Sequence, residues 1–336
     1  MTTDGFRFRD GERLIAFGEG VLDQAPELIS AQGLDGYALL TTERAQRAAP
    51  AALLEGAGVV LHVAPGPVPE CAAAVRDRVE GRPVVTFGGG RVVDAGKAVA
   101  AADGLRTGAI PTTLAGSSFT PFHRMPAGVD GYGLVRPVLA VCEPGLMASA
   151  PMPDLAATAM NALAHASESL YAPGANPVSE GAALRGAALI ATGLAPDARG
   201  HGLALGALLG GYAVGTTGLG LHHALCQTIV RTAGTPHAQT NAVMLPHSLR
   251  FMAPRASDEL CRLARALGRE GTDPTQSADA VTPLAARAGA TRLGELGLAA
   301  EAIPAIVEAA LSHRGIAGMD AAPTRSELTS LLGAAL

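Results

Sequence analysis

Residues 84–97 read Val-Val-Thr-Phe-Gly-Gly-Gly-Arg-Val-Val-Asp-Ala-Gly-Lys, and the architecture of the first half of the chain follows from them. The apolar run before the glycines is typical of a buried strand, and the residues after them have helical spacing. Three consecutive glycines let the backbone turn tightly and approach a pyrophosphate, whose charge the amino end of a helix favours. We therefore predict a dinucleotide-binding turn at Gly88, Gly89 and Gly90, although the GxGxxG fingerprint of the ordinary Rossmann fold is absent. The alternative is a strand–helix turn that holds no ligand.

Short β-branched runs alternate with Ala-rich helical stretches up to about residue 150. The predicted strands are residues 13–17, 36–41, 58–63, 83–87, 107–110 and 138–141. The predicted helices between them are residues 20–32, 45–54, 68–80 and 93–101. This alternation predicts a mainly parallel sheet with helices on both faces.

The pattern changes after about residue 150, where the strand signals fade. The predicted helices are residues 154–170, 177–192, 201–216, 223–232, 240–252 and 257–267, with several more toward the end. Residues 202–221 are uncharged and about long enough to cross a bilayer, but their Gly, Ala and Thr content favours a buried helix pair. We predict an α/β dinucleotide-binding domain over residues 1–150 and an all-helical catalytic domain over residues 151–336, packed across a cleft.

The composition is that of a globular protein, with 48% hydrophobic residues in a chain of 336. A net charge of −5 provides no basic surface for nucleic acid or anionic lipid. The four Cys residues form no CxxC pair and the start has no apolar leader, so we expect reduced thiols and a cytoplasmic protein. The only lysine is Lys97, which indicates a task that Arg cannot perform, chance survival being the alternative.

Two more loops follow predicted strands. Thr112, Thr113 and Ser117 lie in a hydroxyl-rich loop that can donate hydrogen bonds to a phosphate or to a nicotinamide amide. Glu43 follows the second strand, where a carboxylate accepts hydrogen bonds from the adenosine ribose of NAD. The adjacent Arg44 would instead pair with the 2′-phosphate of NADP, so the choice between NAD and NADP stays open.

Polar residues also recur in the helical half. Asn161 and His165 are four residues apart and share a helix face. The pair at residues 222 and 223 follows the Gly-rich helix, and His237 stands at another helix start. Any one of these histidines alone would be read as structural, but polar residues converging in an apolar domain indicate a site.

Together these motifs resemble the iron-activated alcohol dehydrogenase and dehydroquinate synthase superfamily, and within it most closely the maleylacetate reductases. The resemblance spans nearly the whole chain. The matching motifs are Phe17-Gly-Glu-Gly, Gly88-Gly-Gly-x-x-x-Asp94-x-x-Lys97, Ile110-Pro-Thr-Thr, Met160-Asn-Ala-Leu-Ala-His165-Ala-Ser-Glu168-Ser-Leu-Tyr171-Ala, Ala175-Asn-Pro177, Gly220-Leu-His-His223-Ala-Leu-Cys, Pro236-His237-Ala and Leu245-Pro-His247.

The resemblance implies a dehydroquinate synthase-like fold, a Rossmann-like domain followed by an all-α domain, and a homodimer. It implies that NAD or NADP is bound by the glycine turn with Asp94 and Lys97, beside the loop residues and Glu43. The implied catalytic residues are His237, His223, His165 and Asn161. The implied reaction is the reduction of a small carboxylated enone or 2-oxo acid by NAD(P)H.

Metal-dependent members of the superfamily hold one divalent cation with an Asp and three His residues, which fall here at Asn161, His165, His223 and His237. Asn161 is neutral where a carboxylate is expected, and a further His would fall at Gln227. Three imidazoles still suffice for Zn²⁺, but we favour catalysis without Zn or Fe, as in the maleylacetate reductases. The donors of His237, His223 and Asn161 would then polarise the substrate oxygen, and one histidine with a pKa near working pH would supply the proton.

The expected substrate hairpin, residues 119–139, lacks the lysine of the reductases. His123, Arg124 and Arg136 would bind a carboxylate there, or they would be solvated loop residues. The alternatives are a metal-dependent alcohol dehydrogenase and a dinucleotide-binding descendant without activity. A cyclase like dehydroquinate synthase is disfavoured, since it needs several cations for a phosphorylated substrate.

Overall fold

The computed structural model describes residues 5–131, 133–195, 200–317, 319 and 321–336. The chain divides into two compact units, Met1–Ser149 and Ala150–Leu336. The first contains the sheet. The described residues of the second form helices joined by loops, without a strand.

The first unit is built on a seven-stranded sheet whose order is β1-β2-β7-β6-β5-β3-β4. The strands are β1 (Gly5–Asp10), β2 (Arg13–Gly18), β3 (Ala38–Thr41), β4 (Val59–His62), β5 (Val84–Gly88), β6 (Thr107–Pro111) and β7 (Leu139–Cys142). All neighbouring strands run parallel except β1, which pairs antiparallel with β2. The six predicted strands are confirmed, and β1 is an addition. Its alternation of Phe and Arg is the pattern of an exposed edge strand.

Helices cover both faces of this sheet. They are α1 (Ala25–Ala31), α2 (Glu43–Gln46), α3 (Ala51–Glu55), α4 (Val68–Arg76), α5 (Gly90–Asp103) and α6 (Pro144–Met147). Successive residues of β5 alternate between two apolar clusters: Val85 packs with α1, and Val84 packs with α4 and α5. The single helix predicted for residues 45–54 is wrong, because Pro50 separates α2 from α3.

The second unit consists of α7 (Met152–Glu168), α8 (Pro177–Gly193), α9 (Gly200–Thr217), α10 (Leu221–Ala233), α11 (His237–Met252), α12 (Ser257–Ala266), α13 (Thr275–Ala285), α14 (Ile303–Leu311), α15 (Arg314–Ala317) and α16 (Arg325–Ala335). The six helices predicted from sequence are confirmed to within three residues at either end.

Close packing against α7 and α8 explains the glycines of α9. A Cβ at Gly206 would stand 2.9 Å from the carbonyl oxygen of Gly186 on α8, and one at Gly210 would stand 2.7 Å from that of Ala162 on α7. Only glycine lets α9 pack this closely on both neighbours. Among the described residues, no single helix is long and apolar enough to cross a membrane; α9 and α10 pass that test only as a pair, bent by 97°.

Candidate active site

The glycine turn joins β5 directly to α5. Gly88 ends the strand, Gly89 is the N-cap in an extended conformation, and Gly90 begins the helix. No side chain caps α5 and its first turn contains no acidic residue. The first-turn amides of a helix have no partner within the helix, so this end presents N–H donors and a partial positive charge.

The hydroxyl-rich loop after β6 lies against this turn. The Thr112 amide donates to the Gly88 carbonyl at 3.0 Å, which extends the β5–β6 pairing by one residue. A Cβ at Gly89 would be 3.2 Å from Thr113 Cγ2, and one at Gly90 would be 3.1 Å from Ser117 Oγ. The structure thus brings the predicted glycines and loop residues together.

Glu43 lies beyond the end of β3, the strand next to β5. It is exposed as the first residue of α2, beside the exposed Arg44. The carboxylate borders an open groove of about 300 Å³ that is also lined by Gln46, Arg47, Leu54 and His62. The carboxyl ends of β3, β5 and β6 therefore carry the predicted cofactor residues side by side, where parallel α/β sheets bind ligands.

These features fit a dinucleotide. Gly89 and Gly90 let the hydroxyl-rich loop pack directly against the helix end. The uncapped amides and neighbouring hydroxyls there suit a pyrophosphate. Glu43 and Arg44 are both exposed, so the geometry supports a nicotinamide dinucleotide without choosing between NAD and NADP.

Lys97 is fully buried, whereas Asp94, Thr112, Thr113 and Ser117 are partly exposed. Its ammonium lies 2.8 Å from Asp94 Oδ1 and donates to the carbonyls of Thr120 at 3.2 Å and Phe122 at 2.6 Å. Burial lowers the pKa of Lys97, and the Asp94 carboxylate opposes that shift. Two N–H bonds of the ammonium are thus used by backbone carbonyls, and the Asp94 carboxylate balances its charge.

The prediction of a hairpin over residues 119–139 is wrong, because the described residues of 119–138 contain no strand. They form an irregular loop. Burial lowers the pKa of His123, and the nearby Lys97 charge lowers it further. His123 is therefore a weaker cation for a carboxylate than an exposed histidine.

A second group of polar residues lies inside the helical unit, around Glu168 at the end of α7. The Glu168 carboxylate is fully buried and contacts His223 Nδ1 through Oε2 at 2.5 Å. Its Oε1 accepts the His223 amide at 3.3 Å, and the Gly220 amide also donates to the carboxylate. Glu168 thus caps α10 from a different helix, and it fixes the imidazole of His223.

His223 is held on its other side by Asn161, whose Oδ1 lies 3.3 Å from Nε2. An amide oxygen only accepts, so Nε2 carries a proton in this arrangement. The proton between Nδ1 and Glu168 is then a second one, shared by the pair. Burial raises the pKa of Glu168 and lowers that of His223 to about 3, which favours the uncharged form of both groups.

His165 stacks on His223, with ring centroids 4.5 Å apart and planes 7° from parallel. Its Nδ1 is buried and has no hydrogen-bond partner. Burial holds the pKa of His165 well below its usual value, and the adjacent His223 adds to the shift. His165 is therefore a neutral ring packed flat against His223.

His237 is exposed at the start of α11, and a chain of buried side chains reaches it through Asn241. The Asn241 amide donates from Nδ2 to the His237 carbonyl at 2.8 Å and faces His237 Nε2 at 3.4 Å. This orientation turns Asn241 Oδ1 toward His222 Nε2, at 3.0 Å. The Ser248 hydroxyl lies 3.0 Å from His222 Nδ1. In the neutral form of the His237 ring, this contact makes Nε2 the acceptor and leaves the proton on Nδ1.

The expectation of a histidine with a pKa near working pH is wrong for His165, His222 and His223. Desolvation lowers the pKa of His222 and His223 to about 3 and that of His165 well below normal. These three rings therefore act as neutral hydrogen-bonding groups at neutral pH.

The four carried-over metal positions do not fit a divalent cation in this arrangement. An imidazole lone pair lies in its ring plane, so the lone pairs of the stacked His165 and His223 rings lie in separate, nearly parallel planes and do not converge on one ion. Asn161 supplies no charge, and Asn241 faces His237 Nε2. Within the described part of the chain, no three His, Cys, Asp or Glu side chains are grouped to hold a metal. Gln227 is exposed on α10.

Sequence reasoning gave no role to Glu168, Asn241 or Ser248. The carboxylate of Glu168, at the end of an otherwise apolar run of α7, was the available signal, because an acidic residue is buried only with partners. Asn241 and Ser248 carry no such signal in the sequence, since their contacts with His222 depend on how α10 and α11 pack.

Comparisons with known proteins agree with this architecture. The model of the Fe-containing alcohol dehydrogenase family, C-terminal, matches residues 155–336, and that of iron-containing alcohol dehydrogenase matches residues 16–123. A maleylacetate reductase of Pseudomonas aeruginosa is 36% identical over 322 residues, which cover 89% of each chain.

Solved structures of the same kind superpose on nearly the whole chain. Maleylacetate reductase from Agrobacterium tumefaciens has a TM-score of 0.83 at 28% identity, covering 98% of this chain and 97% of its own. An iron-containing alcohol dehydrogenase from Corynebacterium glutamicum has a TM-score of 0.81 at 27% identity, covering 96% and 94%. This chain therefore belongs to the iron-containing alcohol dehydrogenase family and is a nicotinamide-dependent oxidoreductase.

Proposed function

We propose that this enzyme reduces a small carboxylated enone or 2-oxo acid of the maleylacetate type with NADH or NADPH, without a catalytic metal. The observation that carries the proposal is the placement of His223 between Glu168 and the neutral amide of Asn161. A reductase that uses no Lewis acid needs such fixed hydrogen-bond donors and a proton source.

The cofactor is assigned to the first unit. Gly88, Gly89 and Gly90 with the α5 amides would hold the pyrophosphate, and Thr112, Thr113 and Ser117 would donate to it or to the nicotinamide amide. Glu43 would accept from the adenosine ribose. When bound, NAD(P)H supplies the hydride.

The proton is assigned to the Glu168–His223 pair. His223 Nε2–H would donate to the oxygen on which negative charge develops, and His223 Nδ1 would take the proton shared with Glu168. The carboxylate that remains is stabilised by the Gly220 and His223 amides and the amino end of α10. The Asn161 amide and His237 Nδ1–H are further donors, and stacking on His165 fixes the ring of His223.

Maleylacetate is proposed as the first substrate to test because of the relatives in Pseudomonas aeruginosa and Agrobacterium tumefaciens. Arg124 and Arg136 are the remaining candidates for its carboxylates. The four free thiols, three of them buried, support a reducing compartment such as the cytoplasm. A homodimer is proposed from the family alone, and light scattering of the purified protein would test it.

The experiment is a paired assay on protein purified without chelator, with metal content measured by elemental analysis. NADH and NADPH oxidation is followed with maleylacetate and with simple aldehydes. We expect turnover of maleylacetate, less than stoichiometric zinc or iron, and no loss after chelator treatment. Stoichiometric metal with aldehyde turnover would show a metal-dependent alcohol dehydrogenase instead. Cofactor binding without turnover of any carbonyl substrate would show a non-catalytic descendant.

A further inference from the structure

Residues 118–122, here called the strap, begin at the last residue of a 3-10 turn and continue as irregular backbone. Residues 118–120 are buried, and residues 121–122 are partly buried. Two of its carbonyls accept from Arg13, the first residue of β2. Arg13 Nη2 donates to Ser118 at 3.0 Å and Nη1 donates to Phe119 at 3.3 Å. The Arg13 side chain is only 4% exposed. Buried carbonyls outside regular structure need donors, and a guanidinium provides two at once.

Lys97 on α5 holds two further carbonyls of the strap. Its ammonium donates to Thr120 and Phe122 and is balanced by Asp94. Four of the five strap carbonyls are therefore bound by two buried cations that come from a strand and a helix distant in sequence. Charged donors make short, strong hydrogen bonds, so the strap is fixed without a ligand.

The strap is continuous with the 3-10 turn Gly116–Ser118. The amides of Phe119 and Thr120 donate to the Gly116 carbonyl at 2.9 and 3.1 Å, which ties the strap to that turn. Ser117 in the turn lies against Gly90 at the start of α5. The position of the strap therefore sets the position of Ser117 at the proposed pyrophosphate site.

We propose that Arg13 and Lys97 are positioning residues that preorganise the dinucleotide site through the strap, without contacting the dinucleotide themselves. The proposal rests on the proposed cofactor site. Lys97 is fully buried, and its ammonium is already held by two carbonyls and the Asp94 carboxylate, so it is not available to a phosphate. A compact ammonium fits among three convergent acceptors where a flat guanidinium would not, which accounts for lysine at this position.

The first test uses Lys97 as its own probe, because it is the only lysine in the chain. Acylation by N-hydroxysuccinimidyl acetate is followed by mass spectrometry of the Lys97 peptide, without cofactor. We expect Lys97 in the native protein to react at least about tenfold more slowly than in the urea-unfolded protein, and Arg13→Met to remove much of that protection. The surface variant Arg76→Met, in the same unit, is the control and should leave the rate unchanged. Equal rates in the native protein and in Arg13→Met would overturn the idea that both cations hold one strap.

The second test separates binding from chemistry. Lys97→Met and Arg13→Met should each raise the Kd of NADH or NADPH about tenfold, while kcat at saturating cofactor falls by less than about threefold. Arg13→Lys, which keeps one charged donor, should recover part of the affinity. Unchanged Kd values in folded Met variants, or losses confined to kcat, would overturn the proposal.

Failure of the proposed function and failure of the positioning role give different results. If the wild-type protein binds neither NADH nor NADPH, the proposed function fails, and the acylation test still judges the strap. If the wild-type protein binds cofactor and the Met variants bind it equally well, the function stands and the positioning role is wrong.

Discussion

The imidazole of His165 lies flat against that of His223, 4.5 Å away and 7° from parallel. Restoring a carboxylate beside them should therefore not create a metal site. We predict that Asn161→Asp binds less than one equivalent of Zn²⁺ or Fe²⁺ and loses at least about tenfold in kcat, because a buried carboxylate would hold the His223 Nε2 proton as an ion pair. Elemental analysis after metal loading and steady-state kinetics measure both effects. Stoichiometric metal with increased activity would contradict the prediction.

Glu168→Gln should lower kcat about 100-fold or more, because its amide has no acidic proton to pass to His223. The matched control is Ser167→Ala, the preceding residue, which is equally buried and bonds only the Leu163 carbonyl at 2.8 Å. The control should retain most of the activity. If the two variants lose the same activity at unchanged fold, Glu168 has a packing role only.

Two glycines of α5 should respond differently to alanine. Gly90→Ala places its Cβ about 3 Å from Ala115 Cβ and Ser117 Oγ, and should raise the Kd for NAD(P)H about tenfold with little change in Tm. Gly96→Ala drives its Cβ to 2.3 Å from Thr86 Cγ2 and should destabilise the first unit by about 1–3 kcal/mol. Cofactor titration and thermal denaturation separate the effects. If Gly90→Ala lowered Tm and only Gly96→Ala raised the Kd, the turn would not contact the cofactor.

The last helix should give the enzyme a pH-dependent contribution to stability. Glu327 is held by the Thr324 amide and hydroxyl in a capping box, and also pairs with Arg255. These bonds lower its pKa to about 2 from an ordinary value of 4.5. Because the folded pKa is the lower one, the stabilisation is complete above about pH 4.5 and is lost as the pH falls toward 2. Glu327→Gln should reduce Tm by roughly 2 °C at pH 7, and the difference should vanish at the acid end. A Tm difference between Glu327→Gln and the wild-type protein that grows as the pH falls would contradict the prediction.

The sequence predicted what depends on local periodicity. The turn at residues 88–90 and the helices of the second unit have strong patterns, and their bounds were close to those observed. Residues 45–54 were read as one helix because the apolar spacing continues through Pro50, which breaks it.

The chemistry of the site was less accessible, because it depends on contacts between distant residues. Glu168 and His223 lie 55 residues apart, and only packing of α7 against α10 makes them share a proton. The low pKa values of His165 and His222 come from burial, which the chain reveals only after it folds. In the same way, two partners of Lys97 are the backbone carbonyls of Thr120 and Phe122, which carry no mark in the sequence.

The close approach of Glu168 to Gly220 has an evolutionary consequence. A Cβ at residue 220 would lie 3.0 Å from Glu168 Oε1, an unusually tight contact, so the carboxylate would have to shift to admit a side chain there. That shift would disturb the contact between Glu168 and His223. Selection that keeps the Glu168–His223 pair should therefore also favour glycine at residue 220. Among descendants of this enzyme, we expect other residues at 220 mainly where the carboxylate has been replaced or displaced.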